Sequence, residues 1–170
     1  MNLKSIQKLL LFLFCMVLVF KTNAQTKKDT MQWLMAFQET FAKAGKKLQE
    51  RDNDSAIFYA NTSKNFIEEH FGKKTYGLYA QTIFFTSIVY QVEHNYESAM
   101  IATKEFLQIT ADNNGKNNDD YLRGSMGLAN LYFIMNNYGK AEESVKEAMQ
   151  LCILLKGKKS REYIRLLKIY

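Results

Sequence analysis

Apolar residues recur along most of the chain at intervals of three and four positions rather than in strict alternation. Such spacing places them on one face of a helix, since an α-helix turns once every 3.6 residues. The pattern predicts seven helices, over about 29–50, 55–70, 75–93, 97–110, 120–136, 138–156 and 160–170. The chain contains no proline, the residue that most disrupts a helix interior. We expect an all-α fold.

The longest polar stretch outside the predicted helices is the segment 111–120, Ala-Asp-Asn-Asn-Gly-Lys-Asn-Asn-Asp-Asp. Asn, Asp and Gly favour turns because their short side chains compete for backbone hydrogen bonds or permit positive φ. We predict that this segment is a flexible loop between the fourth and fifth helices.

The helical pattern repeats along the chain at a fixed spacing. A separation of 42 residues relates Tyr79, Tyr121 and Tyr163, the pairs Asn95-Tyr96 and Asn137-Tyr138, and the pairs Gly115-Lys116 and Gly157-Lys158. Self-similarity at such a period is typical of stacked supersecondary units, which bury a continuous core between neighbours. It predicts repeats over about 37–73, 76–115 and 118–157, followed by a half-repeat at 160–170.

One of these repeats carries a family resemblance. The residues Leu128-Ala129-Asn130-Leu131-Tyr132, then Asn137-Tyr138-Gly139-Lys140-Ala141-Glu142, then Ala148 resemble the tetratricopeptide repeat. The 42-residue period is similar to the kinesin-light-chain type rather than to the commoner 34-residue form. The second repeat departs from the pattern at Phe106, where a small residue is expected. The first departs at Lys47, where the family has an aromatic residue.

The resemblance implies an α-solenoid of antiparallel helix pairs wound into a right-handed superhelix, with the first helix of each pair lining a concave groove. On the third and fifth helices, stepping along that face selects the candidate peptide-binding residues Gln81, Phe84, Ile88, Gln91, Arg123, Met126, Asn130 and Phe133. Two interpretations of Asn130 stay open, a hydrogen bond to a bound peptide backbone or one to a neighbouring helix. For the aromatics Phe84 and Phe133, core packing is favoured over a position in the groove.

Residues 1–24 have the order of a secretory signal peptide. A basic start is followed by an apolar run from Leu9 to Phe20 and a small-residue end at Ala24. Cleavage there predicts a periplasmic or secreted helical-repeat domain at 25–170. The alternative is an uncleaved membrane anchor, although the run is shorter than the roughly 20 apolar residues that a span requires.

Removal of the leader takes away three lysines and no acid, which lowers the formal net charge from +6 to +3. The remaining basic residues alternate with Asp and Glu, whereas a nucleic-acid-binding protein is expected to have a strongly basic face. After cleavage the one remaining thiol is Cys152, so an intramolecular disulfide is excluded. Its apolar neighbours predict that Cys152 is buried.

No motif for enzymatic chemistry emerges from the sequence. The two histidines, His70 and His94, have no second His or Cys at metal-ligand spacing, and no glycine-rich nucleotide fingerprint occurs. We therefore expect neither catalysis nor a metal or cofactor.

The sequence favours an exported, non-catalytic scaffold whose concave face binds a protein or peptide. The competing hypothesis is the N-terminal sensor part of a longer signalling protein, ahead of a kinase, a transcriptional regulator or a peptidase. A third option is self-association through the last helix, whose apolar residues begin at Ile164.

Overall fold

The computed structural model describes residues 29–71 and 76–170, so the expected signal peptide at 1–24 lies outside the described part. The described residues fall into two units, 29–39 in the first and 40–71 with 76–170 in the second. In the first unit, residues 29–39 form the beginning of helix α1, which covers 29–49. The second unit contains the rest of α1 and the helices α2 (Asn53–His70), α3 (Tyr76–Val92), α4 (Tyr96–Asn114), α5 (Asp119–Ile134), α6 (Tyr138–Lys156) and α7 (Arg161–Leu166). The described ranges contain no strand.

From α2 to α7 each helix packs against the next one in the chain. Short connections make successive helices antiparallel, which confirms an all-α solenoid of antiparallel helix pairs. Several alanines of the helices are fully or almost fully buried, which allows neighbouring helix axes to approach closely. The most buried of them are Ala44, Ala56, Ala60, Ala80, Ala99, Ala129, Ala141 and Ala148.

The turn inside each helix pair has the same geometry in all three pairs. A residue with positive φ occupies each turn, namely Arg51 (61°), His94 (59°) and Asn136 (58°). The next residue caps the following helix, because the side chains of Asp52, Asn95 and Asn137 accept hydrogen bonds from the backbone N–H three positions later. The first pair therefore follows the repeat although its sequence matches the pattern poorly.

In the first pair, Lys47 occupies the position where the family pattern has an aromatic residue, and it forms ion pairs there. Its Nζ lies 3.0 Å from Oε2 of Glu50 and 3.2 Å from Oδ2 of Asp52. Hydrogen bonds to Glu50 first, and to Asp52, raise the pKa of Lys47 above its usual value. An ion-pair cluster thus occupies this position in the first turn.

The connections between pairs also repeat. Gly115 and Gly157, 42 residues apart, have φ of 71° and 80°, a region that glycine enters without steric cost. Asn118 and Ser160 then cap α5 and α7 by accepting from the backbone N–H of Tyr121 and Tyr163. The two linkers use different capping residues, but in both the capped residue three positions later is a tyrosine.

Two predicted boundaries were wrong. Helix α4 continues to Asn114, so 111–114 are helical and the loop is only 115–118. The polar side chains of this last turn are satisfied locally, as where the Asn113 amide donates to the carbonyl of Ile109 at 2.8 Å. Helix α7 ends at Leu166 instead of Tyr170, since the N–H groups of Lys168 and Ile169 bond three residues back and tighten the final turn.

Tyr79 connects three helices through its buried hydroxyl. The oxygen lies 2.6 Å from Oε1 of Glu68 on α2 and 2.8 Å from Oε1 of Glu105 on α4. Lys64 of α2 adds an ion pair to Glu105 at 3.6 Å. Burial, together with the two carboxylates, holds the pKa of Tyr79 well above its usual range. The phenol therefore stays a hydrogen-bond donor at any physiological pH.

Helices α4 and α5 approach so closely at Gly124 that a side chain there would collide. A Cβ atom would lie 2.8 Å from Cδ2 of Leu107 and 3.0 Å from Cδ1 of Phe106, whereas at Gly127 the nearest atom, Cγ2 of Thr103, would be 3.8 Å away. Both substitutions to alanine gain the same helix propensity, about 1 kcal/mol. We expect Gly124→Ala to be less stable than Gly127→Ala by about 1–3 kcal/mol, the cost of overpacking.

Urea denaturation followed by circular dichroism measures this difference directly, because the two variants share their host helix and their substitution. Equal midpoints for the two would contradict the close approach of α4 and α5.

Candidate peptide-binding groove

A groove of about 720 Å³ lies between α3, α5 and the C-terminal segment 161–170. We call it the α3–α5–α7 groove. Its lining residues come from four parts of the fold: Phe84, Ser87, Ile88 and Gln91 of α3, Thr103 of α4, Arg123, Met126, Gly127 and Asn130 of α5, and Glu162, Arg165, Lys168 and Ile169 of the C-terminal segment. Gly127 has no side chain, so the space above the buried Thr103 stays open. A Cβ atom added at Gly127 would have Cγ2 of Thr103 as its nearest neighbour.

Six of the eight candidate residues line this groove: Phe84, Ile88, Gln91, Arg123, Met126 and Asn130. Gln81 lines an adjoining depression of about 380 Å³, which shares Phe84, Ile88 and Arg123 with the groove. Phe133 lines another depression, of about 350 Å³, together with Tyr138 and Tyr170. The structure therefore brings the α3 and α5 candidates together, and separates Phe133 from them.

Phe84 belongs to both the core and the groove. Its ring centroid lies 4.8 Å from that of the buried Phe106, while the guanidinium carbon of Arg123 lies 4.5 Å from the same ring centroid. A cation stacked on an aromatic face in this way is attracted by the ring quadrupole. The floor of the groove is thus fixed by packing from below and by Arg123 at its edge.

Asn130 is half-buried in the groove and makes no side-chain hydrogen bond within 29–71 and 76–170. A hydrogen bond to a neighbouring helix, one of the two interpretations of this residue, is absent from that part of the chain. The other polar groups of the floor are satisfied by their own helices, as Ser87 donates to the carbonyl of Phe84 and Thr103 to that of Ala99. Asn130 therefore offers both a donor and an acceptor to the groove.

The charges along the groove are mostly positive. Arg123, Arg165 and Lys168 line it together with one acid, Glu162, whose carboxylate lies 3.9 Å from Nζ of Lys156. Arg123 also has an acidic neighbour, since its Nη1 lies 3.3 Å from Oδ1 of Asp120. The exposed Arg165 and Lys168 add positive charge to the C-terminal wall.

Sequence reasoning missed that C-terminal wall, although the 42-residue spacing contains the signal. Arg165 follows Arg123, Lys168 follows Met126 and Ile169 follows Gly127 at that distance. Extending the groove-facing positions by one more period leads directly to these residues. The groove is therefore built mainly from repeat-related positions on α3, on α5 and in the C-terminal segment 161–170.

Other kinds of site are not apparent in the described ranges. They contain no cluster of three or more His, Cys, Asp or Glu side chains that could hold a metal ion. Every helix there is too short or too polar to pass through a membrane. Cys152 is buried as predicted, with its Sγ 3.3 Å from Oγ of Ser160.

The chain is similar in fold to solved helical-repeat structures. One is the crystal structure of BtubC (BKLC) from P. vanneervenii, with a TM-score of 0.69, 17% sequence identity and 87% of this chain covered. The match spans 58% of the BtubC chain. At this identity the likeness shows the helical-repeat fold alone. Neither a protein-family model nor a curated protein sequence matches the chain.

Proposed function

We propose that the chain is a non-catalytic scaffold of the tetratricopeptide type, with kinesin-light-chain-like repeats of 42 residues. It binds a segment of a partner protein in the α3–α5–α7 groove. The observation that carries this proposal is the convergence of repeat-related positions of α3, α5 and the C-terminal segment 161–170 on one groove of about 720 Å³. The recurring turns at Arg51, His94 and Asn136 support the same repeat unit in every pair.

The groove is suited to an extended peptide. Its apolar residues Phe84, Ile88 and Met126 accept apolar side chains, and ligand sites generally combine such walls with a few polar groups. Asn130 pairs with a peptide N–H and C=O of the bound segment, which fixes its register. The basic residues of the C-terminal wall favour ligand segments that carry carboxylates.

A test begins with peptides selected for binding from a random display library, followed by affinity measurement for the wild type and Asn130→Ala. We expect Asn130→Ala to weaken binding by at least about fivefold, because it removes two hydrogen bonds of about 0.5–1.5 kcal/mol each. Asn113→Ala is the matched control, because Asn113 is exposed at the end of α4 and bonds within its own helix. Failure to select any groove-dependent peptide would reject the proposed function.

We also propose that residues 1–24 act as a cleaved signal peptide that exports the chain. The basic start, apolar run and small-residue end support this proposal. Mass spectrometry of a C-terminally tagged chain, expressed in a Gram-negative host, should find a periplasmic product beginning at Gln25. A full-length product that remains in the cytoplasm would contradict export.

A further inference from the structure

Gly127 interrupts a row of large apolar residues on the groove side of the repeats. Phe85 stands one period before it and Ile169 one period after it. Phe85 lines the depression that adjoins the α3–α5–α7 groove, while Gly127 and Ile169 line the groove itself. At the middle position of this row, α5 therefore contributes no side chain. We call the part of the groove directly above Gly127 and Thr103 the Gly127 notch.

Phe85 shows how a large side chain packs at the equivalent position of α3. Its ring meets that of Phe41 on α1 edge-on, with the ring centroids 5.3 Å apart and the ring planes at 67°. Edge-to-face contact is a favoured arrangement of two aromatic rings. No side chain of α5 can repeat this contact toward α3 at Gly127, and the groove takes up the space.

The surroundings of the notch are apolar, although a threonine forms its base. The atom of Thr103 that faces Gly127 is the methyl carbon Cγ2, which an added Cβ would meet at 3.8 Å. The Thr103 hydroxyl donates instead to the carbonyl of Ala99 at 2.8 Å, and the residue is 1% exposed. Ile88 and Met126 add apolar side chains to the same groove. Transfer of an apolar ligand group from water into the notch is therefore favourable.

Asn130 provides a polar group next to the notch. Residues three positions apart are neighbours on a helix surface, so Asn130 lies about one turn beyond Gly127 on the same side of α5. Its side chain lines the groove and bonds to no other described residue. A ligand residue whose side chain enters the notch thus brings its own backbone within reach of the Asn130 amide.

We propose that a peptide segment bound in the α3–α5–α7 groove inserts one large apolar side chain, that of Leu, Met or Phe, into the Gly127 notch. There it takes the place that the Phe85 ring has on α3, while its backbone pairs with Asn130. Gly127 is then a specificity-determining residue, because its missing side chain selects a large one in the ligand. This inference rests on the proposed function, since it requires a peptide in the groove.

The test selects one display library of random peptides in parallel on the wild-type full chain and on Gly127→Leu, which fills the notch with a side chain of its own. Peptides selected on the wild type should share one position occupied by Leu, Met or Phe. Those selected on Gly127→Leu should carry Gly, Ala or Ser there. In fluorescence anisotropy, replacing the shared large residue by Ala should weaken binding to the wild type by at least about tenfold, and should not weaken binding to Gly127→Leu.

Two further variants control for the added side chain and for its effect on folding. Gly139→Leu should select the same peptides as the wild type, because Gly139 is exposed and does not line the groove. Gly127→Ala replaces Gly127→Leu if circular dichroism shows that the leucine variant loses its fold, since the Cβ alone fits at 3.8 Å. With Gly127→Ala, the loss on truncating the large peptide residue should be smaller than with the wild type.

The outcomes separate this inference from the proposed function. If the wild type selected no peptide, the proposed function would fail and the notch with it. Peptides that Asn130→Ala weakens would support groove binding. If such peptides tolerated Ala at every position, or kept the same size preference with a filled notch, the role of Gly127 would be overturned while the groove remained a binding site.

Discussion

Replacement of Leu122 by alanine is expected to lower the free energy of unfolding by about 2–5 kcal/mol, the range for truncating a buried leucine. Leu122 is fully buried where three helices meet, in one cluster with Val145 and Cys152 of α6 and Leu166 of α7. Truncation removes apolar contact and leaves a cavity that these helices fill only in part. Urea denaturation followed by circular dichroism measures the loss.

The matched control is Leu154→Ala on α6, where the leucine is 67% exposed. Surface substitutions of this kind usually change stability by less than about 0.5 kcal/mol. The same chemical change is thus expected to have very different consequences at the two sites. A comparable loss for both variants would mean that α5, α6 and α7 do not share the described core.

The largest effect on binding is expected from Gly127→Phe. Gly127 lies on the floor of the α3–α5–α7 groove, and an added Cβ would meet nothing closer than 3.8 Å. The added Cβ therefore fits without a clash, and we expect the ring beyond it to fill part of the groove. Occlusion should weaken a groove-bound peptide by at least about fivefold, as overpacking costs of about 1–3 kcal/mol imply. Isothermal titration calorimetry with a selected peptide measures this loss.

Gly139→Phe is the control for the added ring. Gly139 is exposed in the first turn of α6, where an added Cβ would meet no atom within 4 Å, and it does not line the groove. Unchanged affinity is expected there. If the Gly127 variant bound the peptide as tightly as wild type, the ligand would lie elsewhere on the protein.

The periodic features of the fold could be predicted from the sequence, because helix formation and pair stacking depend on residue spacing. The 42-residue separation of Tyr79, Tyr121 and Tyr163 correctly indicated stacked helix pairs. The exact helix ends could not be predicted, since they depend on local bonds such as that from Asn113 to the carbonyl of Ile109. The close approach of α4 and α5 at Gly124 could not be predicted either. From the sequence alone, a glycine inside a helix indicates only a less stable helix, and its packing role appears once the neighbouring helix is known.

The candidate site could be predicted only in part, because the spacing of residues identifies helix faces but not the packing of individual side chains. Groove-facing positions on α3 and α5 follow from helical period and repeat spacing, and six of the eight selected residues line one groove. Phe133 satisfies the same period, yet it lies elsewhere, with its ring centroid 5.8 Å from that of Tyr138 at the start of α6. Such a contact across a turn depends on side-chain packing, which periodicity does not report.

That the Asn130 side chain has no hydrogen-bond partner among the described residues likewise could not be predicted from the sequence. A polar residue in an apolar run indicates that some hydrogen bond is needed, but not whether the partner belongs to the chain. The structure adds that Asn130 lines the groove and that its side chain bonds to no other described residue.

Groove binding is tested most sharply by nuclear magnetic resonance mapping of a selected peptide on the isotopically labelled chain. We expect amide shifts to concentrate at groove positions on the first helices, such as Ser87 and Gly127, and at Lys168 in the C-terminal wall. The exposed apolar residues of the outer helices, Phe58 on α2 and Ile101 on α4, should shift little. Shifts centred on Phe58 and Ile101, with Ser87 and Gly127 unchanged, would contradict binding in the groove.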